Sequence, residues 1–131
     1  MKDIRMTIKK DDLIKMLNAY YSELLGEKVL INSQTETVWK GYGVSEHEEP
    51  EVNFSYTIDH NLGGAILRVN NTLDDNDLKV ALNAILSKIG YSVESIEYKT
   101  TSGSFRDEGV YTFTGLEVKV NKKGMEMTLD K

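Results

Sequence analysis

The chain contains no cysteine, a single proline (Pro50) and two histidines. Without cysteine there is no disulfide scaffold, no zinc ribbon and no thiol chemistry, and a reducing compartment is the natural expectation. No stretch approaches the roughly 20 apolar residues that a membrane helix needs. The opening "MKDIRMTIKK" is charged and lacks the apolar run of a signal peptide. These features lead to the expectation of a cytoplasmic protein that neither enters a membrane nor carries a cofactor.

Basic residues are scarce in one region. Residues 41–78 hold Arg68 against eight acids, a net charge of −7, whereas the segments on either side each come to +1. The chain's whole imbalance of −5 therefore lies in its middle third. Nucleic acid is disfavoured as a direct partner, because its phosphates need Lys and Arg to displace counterions. A basic protein surface is favoured.

At 131 residues, with 40% hydrophobic and 28% charged residues, the sequence fits one globular domain spanning 1–131 that can bury a core without staples. "IRMTI" alternates like a short strand. From Lys10 to Leu25 apolar residues fall at helical spacing, with Leu13, Leu17, Tyr20 or Tyr21, and Leu24 on one stripe. Asp11 and Asp12 suit the first turn and Gly26 the left-handed cap. A second helix is expected from the "TLDDND" entry to about Ile89, with Thr72, Asp74 and Asp75 as rival N-caps, a stripe of Leu78, Leu82, Ile85 and Ile89, and Gly90 as the stop.

Strand signals fill the rest. "KVLIN" and "TETVWKGYG" read as two strands parted by the polar turn "NSQT". An acidic loop, "SEHEEPE", follows. "EVNFSYTIDH" alternates, with Val52, Phe54, Tyr56 and Ile58 on one face, and returns through "HNLGG" into "AILRVNN" as a hairpin. "YSVESIEY" and "YTFTGLEV" share a pattern in which the apolar phase flips midway. A bulged, coiled strand explains the flip in each, and a tight turn at Thr114–Gly115 is the alternative for the second. They are read as two antiparallel strands joined by "TTSGSFRDEG", with residues from about 122 onward as a frayed tail. The order of elements gives an α+β fold, with two helices on one face of a mostly antiparallel, twisted sheet.

Few constellations carry chemistry. His47, Glu48, Glu49, Asp59 and His60 are metal-ligand types, but no pair has ligand spacing on a helix. "DDND" at 74–77 lacks the central glycine and closing glutamate of a calcium loop and is explained by helix capping. No phosphate-binding loop or nucleophile elbow is present. Trp39 has two readings: large aromatics dominate small cores, which favours burial, and tryptophan also anchors interfaces. Tyr42, between two glycines, is read as exposed.

The leading expectation is a non-catalytic acidic binding module. Glu46, Glu48, Glu49 and Glu51 would make the main contacts, with Asp59, Asp74, Asp75, Asp77, Trp39 and Tyr42 contributing. Its partner would be a basic surface, such as that of a nuclease or another nucleic-acid-handling protein. In charge and size alone the chain is similar to toxin-immunity proteins and to DNA-mimic or anti-CRISPR inhibitors. Two alternatives remain. One is a homodimer or other homo-oligomer paired through edge strands in "VYTFTGLEVKV". The other is a metal-dependent enzyme using His47 and His60.

Overall fold

Asp11 and Asp12 open helix α1 (Lys10–Leu25), and Gly26, with φ +69°, closes it in the left-handed conformation. Both ends thus fall where the sequence signals put them. Before α1 comes the short strand β1 (Ile4–Lys9). These elements belong to a computed structural model of the chain, which describes residues 4–41, 43–45, 47–102 and 111–122. The order continues with β2 (Leu30–Lys40), a 3-10 turn at Gly43–Ser45, β3 (His47–Leu62), β4 (Ala65–Leu73), α2 (Asp75–Ser87), β5 (Tyr91–Ser102) and β6 (Tyr111–Lys122). The fold class is α+β, as expected. Residues 103–110 of the β5–β6 connection and the tail 123–131 lie outside the described residues.

The strands divide between two antiparallel sheets, ordered β1-β6-β5 and β2-β3-β4. Both sheets and both helices feed one apolar cluster. α1 contributes Leu13, Leu17 and Tyr21, α2 contributes Leu78, Ala81, Leu82 and Leu86, and the strands add Ile8, Ile31, Phe54, Ile58, Phe113, Leu116, Val118 and Val120. Ring packing joins the sheets: Phe54 of β3 lies edge-on to Phe113 of β6 at 5.5 Å and stacks with Tyr98 of β5 at 6.3 Å. α1 also holds the start of β2 through side chains. Asn18 Oδ1 accepts from the Ile31 amide at 2.8 Å and Ser22 Oγ from the Val29 amide at 3.0 Å. The expected stripes overrun the core at their ends, since Leu24 and Ile89 are exposed.

The phase flips of the last two strands are bulges. The β5–β6 register shifts between Val93 and Ser95, and again between Lys99 and Thr100, where Thr114 is the extra residue on β6. Phe113 and Leu116 can then both face the core despite their opposite parity. Asn83 Oδ1 of α2 accepts from the Val93 amide, 2.9 Å away, at the first bulge. Gly115 sits beside the second, against β1, where a Cβ would lie 2.3 Å from the Ile8 carbonyl oxygen. The turn at Thr114–Gly115 is therefore excluded.

Three expectations need correction. "KVLIN" and "TETVWK" are parts of one strand, β2, because "NSQT" lacks the glycine or proline to break it and its alternating polar side chains suit a sheet edge. The segment from His47 to Glu51 is strand rather than loop: it pairs with Glu36–Lys40, so β2 and β3 form an arm that runs past the end of β4, whose last residue, Leu73, pairs with Phe54. Finally, β6, which carries most of "VYTFTGLEVKV", is the central strand of its sheet and has no free edge to offer another chain.

Candidate functional site

Strand pairing sorts the candidate acids into groups. On the β2–β3 arm Glu51 lies directly opposite Glu36, and Val38 opposite Glu49. Side chains two apart on a strand share a face, so Glu36, Glu49 and Glu51 occupy one face of the arm. Glu36 was not among the residues singled out from the sequence. Only the register reveals it, since Glu36 and Glu51 are fifteen positions apart in a chain rich in glutamate. Like charges directly opposite across a strand pair are destabilising.

A second grouping lies where β4 leaves β3 to enter α2. A cleft of about 820 Å³ opens there, with Glu51, Asp74 and Asp75 among its lining residues and Val52, Leu73 and Tyr98 as its apolar walls. Among the described residues no lysine or arginine lines it. Asp74 and Asp77 form a reciprocal cap: the Asp77 amide donates to Asp74 Oδ1 at 2.8 Å, and the Asp74 amide to Asp77 Oδ2 at 3.0 Å. The capping reading of "DDND" thus holds, with Asp74 as the N-cap. Asp75 accepts a hydrogen bond from the Tyr98 hydroxyl. Burial, followed by that acceptor, pushes the Tyr98 phenol well above its usual range.

Asp59 stands apart. Arg68, opposite it on β4, grips it with two hydrogen bonds of 2.9 and 3.2 Å, which hold its carboxyl below the usual range. This forked pair closes the only positive charge between residues 41 and 78 onto an acid of the same hairpin.

Trp39 is 63% exposed, which overturns its reading as a core residue. It pairs with Glu48 near the free end of the arm, beyond the reach of the core cluster. Glu46 and Tyr42 lie outside the described residues, as do the side chains of His47 and Glu48, whose backbones belong to β3.

The metal reading loses its geometry. His47 and His60 are the first and fourteenth residues of one continuous strand, about 40 Å apart at the usual rise per residue. His60 faces Glu27, with Nδ1 3.7 Å from Oε1. Among the described residues no group of three or more His, Asp or Glu is placed to hold a metal ion. Nor is any described helix long and apolar enough to cross a membrane.

The site thus belongs to an α+β chain with an acid-lined cleft and a projecting acidic arm. No protein-family model matches the chain, and no curated protein or solved structure matches it either.

Proposed function

We propose that this protein is a small acidic, non-catalytic binding protein that covers a basic surface of a nuclease or another nucleic-acid-handling protein. The observation that carries this reading is the direct cross-strand pairing of Glu36 with Glu51. Such a pair costs stability while the protein is alone and becomes favourable once Lys or Arg side chains dock over it. Glu49 extends the charge on the same face, and Asp74 and Asp75 continue it through Glu51 into the cleft. The exposed Trp39 supplies an aromatic anchor near the tip of the arm. In this reading the carboxylates stand in for spaced phosphates, as in immunity-type, DNA-mimic and anti-CRISPR inhibitors, and the protein works in the cytoplasm without a cofactor.

The test is capture from the native host by the tagged protein and by a variant carrying Glu36→Lys, Glu49→Lys and Glu51→Lys. The wild type should retain a basic protein that elutes as salt rises, and the variant should lose it. Equal retention by both, with no dependence on salt, would defeat the reading.

A further inference from the structure

Among the described residues each sheet has two edge strands, and β4 differs from the other three. β1 is short and carries Arg5 and Lys9, β2 carries Glu36 and Lys40, and β5 is bulged at Glu94. Charges, short length and bulges are the usual protections of a sheet edge against pairing with another chain. β4 is neither short nor bulged, and it carries only one charge. It runs nine residues without a register shift and contains no proline, glycine or lysine, and every residue from Ala65 to Thr72 is exposed. Ile66, Leu67 and Val69 are among the protein's large exposed apolar side chains, at 66%, 52% and 40%. Its single charge, Arg68, is closed on Asp59.

The hairpin turn fixes which backbone groups are free. Leu62 pairs with Ala65 across a two-residue turn in which Gly63 and Gly64 both have positive φ, +61° and +91°. In such a type I′ hairpin the closing pair exchanges both hydrogen bonds. Bonded and non-bonded pairs then alternate, so Leu67, Val69, Asn71 and Leu73 point their amides and carbonyls at β3. Ile66, Arg68, Asn70 and Thr72 point theirs outward, at the open edge.

That outward set is symmetric about Val69. We infer that β4 pairs antiparallel with β4 of a second copy, in the register centred on Val69, to join two three-stranded sheets into one of six strands. In this register all four outward residues find partners: Ile66 meets Thr72 of the second copy, and Arg68 meets its Asn70. The two Arg68 side chains stay apart, each on its own Asp59. The seam therefore brings no net charge together even though each chain carries −5. The acids of the β2–β3 arm lie beyond the Phe54–Leu73 pair that ends β4, and so beyond the seam. A strand carrying acids or unmatched charges fits this edge less well than the strand's own copy does. The inference is independent of the acidic-surface reading, because it uses none of those carboxylates.

Two measurements test it. In sedimentation equilibrium across a hundredfold range of concentration, the wild type should shift from monomer to dimer. Val69→Lys, which sets two ammonium groups opposite each other at the two-fold axis, should remain monomeric. In an otherwise cysteine-free chain, Val69→Cys should form a covalent dimer under mild oxidation. Leu67→Cys should form at least tenfold less, since its symmetry mate is displaced by four residues, about 13 Å along the strand, too far for a disulfide. A wild type that is monomeric throughout, a Val69→Lys variant that dimerises like the wild type, or a Leu67→Cys variant that cross-links as readily as Val69→Cys would each overturn the inference.

Discussion

The Tyr98 hydroxyl of β5 donates to the Asp75 carboxylate in the first turn of α2, while its ring stacks on Phe54 of β3. One side chain thus ties a strand of the first sheet to a helix and to a strand of the second. It also forms a wall of the acidic cleft. The groups that shape the candidate site are therefore the same ones that hold the two sheets in place.

This bond makes the protein lose stability at high pH. Burial, followed by the Asp75 hydrogen bond, raises the folded-state pKa of Tyr98, and burial with the nearby Asp77 raises that of Tyr21 to about 12. The unfolded chain releases both protons near pH 10. Between that point and the folded-state values the native protein binds more protons than the unfolded chain, so stability falls as pH rises. Urea midpoints should be level from pH 8 to 9 and decline from pH 10 upward. Tyr98→Phe should decline less steeply over the same interval.

The reciprocal cap of Asp74 and Asp77 should behave as a unit. Removing a helix N-cap costs about 1 kcal/mol, so Asp74→Ala should lower the unfolding free energy by about that amount. Asp77→Ala removes the return bond to the Asp74 amide. The double variant should lose less than the sum of the two single losses, because each side chain satisfies the other's amide. Denaturant titration of the four proteins measures the coupling.

Gly115 is required by the approach of β1 rather than by a turn. A Cβ there would press on the Ile8 carbonyl oxygen, which is backbone and cannot swing aside. Gly115→Ala should cost about 1–3 kcal/mol. It should also raise amide hydrogen exchange in the β1–β6 ladder more than in the β2–β3 ladder. Uniform exchange across both sheets would contradict this account.

Glu36→Lys should separate stability from binding. It replaces a like-charge pair by an opposite-charge one, for a gain of about 0.2–1 kcal/mol. The same substitution should weaken capture of a basic partner. Thermal unfolding and the capture assay, run on one preparation, read the two effects together.

The local elements were legible where a single segment contained the whole signal. Asp11, Asp12 and Gly26 mark α1, and Asp74 marks the start of α2, because capping and the helix dipole act within one turn. The phase flips around Glu94 and Thr114 disclosed bulges, because side-chain parity along a strand is also local. Two of the errors share one cause, which is that polar residues do not announce whether a strand continues. "NSQT" and "HEEPE" look like turns by composition, yet both lie within long strands whose exposed faces tolerate any polar side chain. Trp39 was misplaced for a related reason, since the extent of the core decides whether a large aromatic is buried.

The order of residues by itself determined the α+β class, both helices and the caps of α1, the bulged pair of final strands and the concentration of negative charge between residues 41 and 78; α2 stops at Ser87 with Lys88 as its cap, short of the expected stop at Gly90. Each of these depends on neighbours within a few positions. Only the tertiary structure decided the split into two sheets, the central place of β6, the opposition of Glu36 to Glu51, the closure of Arg68 onto Asp59 and the open edge of β4. These are matters of register and strand order, set by which distant segments bury their apolar faces together, and no local pattern encodes them.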